Sequence, residues 1–367
     1  MKFIPQTSHA SAFSVNTKSP GKMKLTLAIP TYNRARYLDV LLRSIANQAM
    51  PSLSDVEIVI SDNASTDDTL QVVEKYLGLL PIRYWRNEEN TGADRNIAKT
   101  YQEASGRYVW IIGDDDFLLP NALRAVMDTI DLVTPGLIFA KPVGFTDQLD
   151  ISAYPNHSVD VRILSRALFV KRLELHLASV FALIVHKAAF HTSAKSIENL
   201  AGTNLVQYAW VLPLVLADRP LAYISTTLVA SKSGNGAGYA LFKVFVENNN
   251  RILSDYFYKY PALVKKINNR ALISHFPRYI TNGAPGDQMI GENKKDITSI
   301  FSKHYSTNFR YWLFIWPLFK SSPHLQKISA LARWMIYVLD EQIIRASISL
   351  ARPRYRFSYP AQDDKSA

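Results

Sequence analysis

Between residues 24 and 131 the chain alternates between short apolar runs and amphipathic stretches, and this alternation restricts the fold more than any other feature. "KLTLAIP" (24–30), "VEIVIS" (56–61), "IRYWRN" (82–87) and "RYVWII" (107–112) have the length and composition of strands. After the first come Leu38, Leu41, Leu42 and Ile45, spaced i, i+3, i+4, i+7 on one helical face. After the second come Leu70, Val73 and Leu77, with Ser65 and Asp68 in the spacing of a capping box. Ile97, Tyr101 and Ala104 mark a third helix, with Gly106 as its stop, and Leu123, Val126, Met127 and Ile130 mark a fourth. Repeated β-α units require an α/β fold, a mostly parallel sheet flanked by helices on both faces. Ligands of such sheets bind at the carboxyl ends of the strands.

That rule collects the polar clusters at one edge. "PTYNR" (30–34), "SDNASTDD" (61–68) and "GDDD" (113–116) each follow a strand directly, and "NTGADRN" (90–96) fills another strand-to-helix loop. Asp62, Asp94, Asp115 and Asp116 therefore become neighbours. Asp114, Asp115 and Asp116 repel one another, and burying them is costly unless they are paired or metal-bound. One reading is a polar turn that leads into a helix. The other is a site for a hard cation, Mg²⁺ or Mn²⁺, which prefers carboxylate oxygens and shares its shell with substrate phosphates. A cation there would stabilise a departing nucleoside diphosphate as negative charge develops. Trp85 and Trp110, on the third and fourth strands, read as core.

The totals narrow the class. A chain of 367 residues with 48% apolar content holds one large domain or two ordinary ones. It has no cysteine, which excludes disulfides, thiolate metal sites and a cysteine nucleophile. Residues 1–23 lack a signal-peptide core and read as a flexible N-terminal extension. No run approaches the ~20 apolar residues of a membrane-spanning helix. "VFALIVHKAAF" (180–190) and "LAYISTTLVA" (221–230) resemble strands, and "LVQYAWVLPLVLA" (205–217) an apolar helix. "SKSGNGAGYA" (231–240) is a Gly/Ser-rich loop, residues 241–357 read as helical, and 358–367 as a flexible tail.

Charge is uneven. Residues 1–150 carry 15 Lys and Arg against 18 Asp and Glu, whereas the remainder carries 27 against 13. The C-terminal part therefore suits an anionic partner, and no nucleic-acid-binding signature accompanies it. "FRYWLFIWPLFK" (309–320) and "ISALARWMIYVLDEQIIRASISLARPRYRF" (328–357) set Trp and Tyr beside Lys and Arg. That mixture suits shallow contact with a membrane, and equally a helical bundle packed on the first domain.

"LTLAIPTYNRARYLDVLLRSIANQ", "VEIVISDNASTDDT" and "NTGADRNIAKTYQEASGRYVWIIGDDDFLLPNAL" together resemble the nucleotide-binding half of a family 2 glycosyltransferase with the GT-A fold. The "GADRN" and "WIIGDDD" versions are similar to those of bacterial O-antigen transferases of the abequosyltransferase type. The resemblance covers residues 24–131, implies that 132–240 form the acceptor half of one GT-A domain (24–240), and leaves 241–357 as a membrane-facing part. It implies that Pro30, Thr31, Asn33 and Arg34 lie against the nucleotide base and that Asp62 reads it. It implies that Asp94 and Arg95 lie near the sugar and ribose, and that Asp115 and Asp116 meet ribose and metal. The family commonly has Asp, any residue, Asp, Asp before an apolar triplet and Pro. Here Gly113 stands at the first Asp, which either weakens the ribose contact or moves it to Asp114 and leaves the assignment among the three acids open.

Many inverting members carry an acidic pair before an acceptor-side helix as general base. The matching stretch, "IENLAGTNLVQYAW" (197–210), has Glu198 and no acid at the helix start. A base must take the proton of the attacking hydroxyl. Glu198 is the candidate, with His186 and His191 as others, and the stereochemistry stays open. Asp116 is assigned to catalysis through the metal, and Lys232 is a candidate to close on the diphosphate. The expectation is a transferase that moves a sugar, a deoxyhexose by the nearest resemblance, from a nucleoside-diphosphate sugar to a lipid-linked or polysaccharide acceptor. Its setting would be O-antigen or surface-polysaccharide assembly at the cytoplasmic face of the inner membrane. Two rivals remain: a non-catalytic nucleotide- or lipid-binding protein on this fold, and a nucleotidyltransferase. The second needs a Gly-rich basic loop after the first strand, which "PTYNRARYL" does not supply.

Overall fold

The computed structural model describes residues 12–14, 23–48, 53–146, 148–232, 239–282, 293–320 and 322–359. The four expected strands are β2 (Leu25–Thr31), β3 (Val56–Asp62), β4 (Ile82–Arg86) and β5 (Tyr108–Ile111), after β1 (Ala12–Ser14). They are followed by β6 (Asp116–Leu118), β7 (Leu137–Phe145), β8 (Ser158–Leu164), β9 (Leu183–Val185), β10 (Leu221–Lys232) and β11 (Arg354–Ser358). The sheet order is β1-β4-β3-β2-β5-β9-β7-β10-β8-β11, with β6 pairing β10. β4, β3, β2 and β5 are mutually parallel in that order, and β7 and β10 are parallel to each other. β9 joins the two groups antiparallel to both neighbours, so β7 and β10 run with β5.

Four helices fall where the apolar spacing places them: α1 (Ala35–Ala46), α2 (Thr69–Tyr76), α3 (Ala93–Glu103) and α4 (Ala122–Val133). α1, α2 and α4 lie on one face and α3 on the other. Leu38, Leu41 and Ile45 of α1 and Leu123 and Val126 of α4 pack with Leu25, Leu27 and Trp110. Ala98 and Tyr101 of α3 pack with Ala28, Val109 and the later helices on the other face. Burying a side chain such as Leu41 removes about 1.5–3 kcal/mol of unfavourable hydration. Trp110 is fully buried and Trp85 nearly so, as expected of core.

Later helices are α5 (Arg166–Leu173), α6 (Ala194–Glu198), α7 (Tyr208–Leu216), α8 (Asn249–Tyr256), α9 (Pro261–Ala271), α10 (His275–Asn282), α11 (Lys294–Tyr305) and α12 (Pro323–Leu350). α7 is the apolar helix expected over 205–217, and most of its residues are buried in the core. The C-terminal helices build a further core around Phe242, Phe276 and Phe301.

Several local expectations differ from the structure. Ser65 does not cap α2: its hydroxyl accepts the Asn33 N–H at 2.8 Å, and α2 begins only after Asp68. Gly106 does not stop α3, which ends at Glu103; a Cβ there would lie 2.6 Å from the Thr26 backbone nitrogen, so close packing requires the glycine. Only Leu183–Val185 of the 180–190 run is strand. Within the N-terminal extension, Ala12–Ser14 pair antiparallel with Arg83–Trp85 of β4. The helical C-terminal region ends in β11, which pairs with β8. Residues 233–238 of the Gly/Ser-rich loop and 360–367 of the tail lie outside the described residues.

Candidate active site

The carboxyl ends of β2 and β3, the start of α3 and the turn after β5 meet at one edge of the sheet. A cavity of about 640 Å³ opens there, lined by Pro30, Thr31, Arg34, Asn63, Asp94 and Asp114. Opposite them, Phe181, Gln207 and Tyr239 close the wall from the second half of the chain. The size suits a small ligand, and the polar groups are concentrated on the strand-end side.

Asp114 is the acid turned into this cavity. The Thr31 hydroxyl donates to its Oδ2 at 2.8 Å, and Arg34 donates to its Oδ1 at 3.2 Å and to Asp115 Oδ2 at 2.9 Å. Burial pushes the Asp114 carboxyl up to about 7, with Arg34 opposing the shift and Asp115 adding to it. Asp116 is buried beneath. Its Oδ2 accepts the Gly113 N–H at 2.8 Å, and Oδ1 has no well-formed hydrogen bond. Burial raises its pKa well above the ordinary carboxylate range, Asp115 adds to the shift, and the nearby Ser231 hydroxyl moderates it. Arg34 thus meets part of the repulsion that the three acids create.

Gly113 explains the spacing of the motif. A Cβ at this position would sit 2.9 Å from Asp115 Oδ1 and 2.9 Å from Asp116 Oδ2. The missing side chain lets the two carboxylates close in on the Gly113 backbone, and their oxygens are a donor set that fits a hard cation. Asp115 and Asp116 would hold Mg²⁺ or Mn²⁺ there, with the remaining ligands from phosphate and water. Among the described residues no cluster of three or more His, Cys, Asp and Glu side chains is arranged to enclose a metal by itself.

The other expected residues divide into groups. Pro30, Thr31 and Arg34 line the cavity. Asn33 lies beside it in the left-handed region (φ 51°), and its Oδ1 accepts the Thr66 N–H at 2.7 Å, so it shapes the loop. Asp62 is buried, with Oδ1 accepting the Ser65 N–H at 2.8 Å and Oδ2 the Tyr84 hydroxyl at 2.7 Å. Asp94 lines the cavity, but its Oδ2 accepts the Asn204 N–H at 2.8 Å and anchors the 202–206 turn. Burial raises its pKa against those backbone hydrogen bonds.

Arg95 and Glu198 stand apart from the cavity. They pair with each other at 2.8 Å, and their side chains are 59% and 67% exposed, so Glu198 faces solvent. His186 stacks on Tyr108 at the amino-terminal end of β5, the opposite edge of the sheet, and burial lowers its pKa to about 4. His191 is exposed. Lys232, at the end of β10, donates to the Thr146 carbonyl and lies over the Phe145 ring.

Asparagines form a part of the site that was not singled out in the sequence. Asn63 Oδ1 accepts from Asn87 at 2.9 Å and from the Thr91 N–H at 3.0 Å, and its amide donates to Asn90 at 2.7 Å. Asn96 is buried, donating to the Ser61 carbonyl at 3.0 Å and accepting from the Ser61 hydroxyl at 2.7 Å. This network fixes the β3 end against the start of α3. Its signal was present in "SDNAS", "NEENTG" and "ADRN": side chains that donate and accept, packed at strand ends where backbone groups need partners.

The comparisons agree with this geometry. Residues 26–191 match the family model described as "Glycosyl transferase family 2". The chain is 44% identical over 111 residues to abequosyltransferase RfbV of Salmonella typhimurium, covering 30% of this chain and 33% of that protein. It is 37% identical over 106 residues to the GalNAc(5)-diNAcBac-PP-undecaprenol beta-1,3-glucosyltransferase of Campylobacter jejuni, covering 28% and 33%. The aligned part spans about a third of each of these relatives. Among solved structures, S. aureus TarS 1–349 superimposes with a TM-score of 0.57 at 19% identity, over 88% of this chain and 92% of that one, and shows the shared GT-A fold. Residues 26–191 are thus similar to family 2 glycosyltransferases, and the chain shares their GT-A fold.

Proposed function

We propose that the chain is a glycosyltransferase that moves a sugar from a nucleoside-diphosphate sugar to a lipid-linked or polysaccharide acceptor in O-antigen or related surface-glycan assembly. The observation that carries this reading is the strand-end cavity, where Thr31, Arg34 and Asp114 converge within the stretch similar to family 2 glycosyltransferases. A deoxyhexose donor is the specific choice, because the similar Salmonella protein is named an abequosyltransferase. The base and ribose lie along Pro30–Arg34 and the asparagine network, with Asp62 holding the Ser65 turn and Tyr84 in place behind them.

Asp115 and Asp116 would hold the divalent cation, which when bound supplies positive charge to the diphosphate leaving group. The chain's own residues do the rest. Arg34 orients Asp114 and Asp115, Thr31 fixes the remaining Asp114 oxygen, and Phe181 and Tyr239 limit water around the donor. Lys232, which is not among the residues lining this cavity, would leave the Thr146 carbonyl to reach the phosphates. Glu198 is retained as the base only if the Arg95 pair opens on acceptor binding, since in this structure it points to solvent. At the membrane, the exposed apolar side of α12 is the contact surface. No helix among the described residues is long and apolar enough to cross a bilayer.

Calorimetric titration of UDP, CDP, dTDP and GDP, each with and without Mn²⁺, tests the reading. Tight binding of one diphosphate, weakened without metal and in Asp116→Ala, is expected, together with metal-dependent hydrolysis of the matching sugar donor. The second reading, a non-catalytic binding protein, draws on the solvent-facing Glu198. It prevails if a diphosphate binds and no sugar is ever released.

A further inference from the structure

A second cavity, of about 750 Å³, lies between β7, β10 and the C-terminal helices, and nothing above uses it. It adjoins the acidic turn. Phe181 lines both cavities, and Ser231, on its wall, pairs across β10 and β6 with Asp116. Five cationic side chains line it: Lys141, Arg172, Arg270, Arg278 and Arg333. Its two carboxylates are already engaged. Glu174 accepts from Arg270 at 2.5 Å and from His275 at 2.9 Å, while Glu341 accepts from Arg172 at 2.8 Å and Arg270 at 2.6 Å. Lys141, Arg278 and Arg333 have no ion-pair partner among the described residues.

Such an imbalance in a partly buried wall is unfavourable. Burial lowers the pKa of Lys141, the neighbouring Arg172 and Arg345 lower it further, and burial lowers that of Arg333. Cations half out of water with no counter-ion are stabilised by an anion that reaches all of them. His176, half-buried in the cavity wall, is held near 4 by desolvation and by His275, so it adds no charge at neutral pH. Trp334 and Tyr337 of α12 line the outer side, and Trp334 is 61% exposed, leaving an aromatic face for a sugar ring. Next to it the α12 surface is apolar, with Leu331 and Met335 exposed.

We propose that this cavity is the acceptor's phosphate subsite, holding a phosphate or diphosphate ester between Lys141, Arg278 and Arg333 with the adjoining sugar against Trp334. The assignment to an acceptor rests on the glycosyltransferase reading. The anion site itself rests on the three cations and the cavity. The other end of the same cavity, at Ser231, adjoins the acidic turn.

The test titrates inorganic pyrophosphate, without divalent metal, into the full chain, the Lys141→Gln/Arg333→Gln double variant and Asp114→Asn. Pyrophosphate is expected to bind the wild type and Asp114→Asn alike and to bind the double variant at least about tenfold more weakly. The nucleoside diphosphate that binds best among UDP, CDP, dTDP and GDP, titrated with Mn²⁺, should show the reverse pattern. Equal thermal midpoints check folding, and the exposed Arg278→Gln provides a second, gentler variant with a loss of about threefold. Farnesyl diphosphate in place of pyrophosphate separates the sources. Tighter binding of the farnesyl ester assigns a lipid-borne acceptor, and equal binding assigns a soluble one. No pyrophosphate binding by the wild type, or binding unchanged in the double variant, overturns the site. Absence of binding by all four nucleoside diphosphates in the presence of Mn²⁺, with intact pyrophosphate binding, overturns the donor reading and leaves the anion site standing.

Discussion

Gly113 is where a single atom decides the geometry. A methyl group there would meet oxygens of both Asp115 and Asp116 at 2.9 Å, so one acid must turn away. Gly113→Ala is expected to weaken metal-dependent nucleoside-diphosphate binding by about tenfold or more, while the thermal midpoint falls only slightly; calorimetry and thermal melts separate the two. Unchanged binding would show that the space beside the acids has no part in the site. The motif was legible as an acidic strand end, but the division of labour was not. Whether Asp114, Asp115 or Asp116 faces the ligand depends on the backbone turn, and sequence spacing does not encode which way that turn presents each carboxylate.

His186 gives a pH signature away from the site. Its pKa lies near 4 in the folded chain, below the ordinary 6.5, because burial and the neighbouring Arg219 and Arg107 disfavour the imidazolium. The unfolded chain therefore binds an extra proton between about pH 6.5 and 4. Its contribution is fully present above pH 6.5 and is lost as pH falls through that window. One such group adds a slope of at most about 1.4 kcal/mol per pH unit. His186→Phe preserves the stacking on Tyr108 and removes the titration. Urea midpoints of the variant should fall less steeply than those of the wild type from pH 6.5 to 4, and parallel curves would refute the assignment.

Among the elements, α12 is held to the catalytic half by charge. Arg270 of α9 is 3% exposed and donates to Glu174 at 2.5 Å, Asp340 at 2.9 Å and Glu341 at 2.6 Å. Lys171 reaches Asp340, and Arg172 reaches Glu341. Removing Arg270 leaves buried carboxylates uncompensated, so Arg270→Met should cost about 3–5 kcal/mol, read from the urea midpoint. Arg333→Gln, with no partner to orphan, should stay within about 0.5 kcal/mol. A smaller loss for Arg270→Met than for Arg333→Gln would mean that the network does not hold the helix. None of this was visible in the sequence, because its members lie 70 and more positions apart. The β-α units of residues 24–131 were visible, because period and burial agree there. Of the strands after residue 132, β10 was read and β9 only as part of a longer run, while β7, β8 and β11 were not. β9 is three residues long, and β8 and β11 pair across nearly 200 positions, so their local pattern is too short or too remote to read.

At the scale of the whole molecule, charge and apolar surface coincide. Residues 1–150 are slightly acidic, the rest carries 27 Lys and Arg against 13 Asp and Glu, and the exposed apolar stripe lies on α12 in that basic part. Ile328, Leu331, Met335, Leu339 and Ile343 recur every three or four residues, and Leu331, Met335 and Leu339 are 60%, 53% and 59% exposed. Under the proposed membrane contact, this stripe would insert into the headgroup region while the basic surplus is drawn to anionic lipid. The full chain should co-sediment with vesicles that contain an anionic lipid and much less with neutral phosphatidylcholine. Raising salt from about 0.1 to about 0.5 M should reduce binding without abolishing it, because the electrostatic part is screened and the apolar part is not. The triple variant Leu331→Ser, Met335→Ser, Leu339→Ser changes side chains already in water, so its urea midpoint should move little. It should release the chain from vesicles and leave hydrolysis of a soluble sugar donor untouched. Vesicle binding that survives all three substitutions would move the membrane contact off α12. Loss of donor hydrolysis in the same variant would mean that the helix supports the catalytic half and not the membrane.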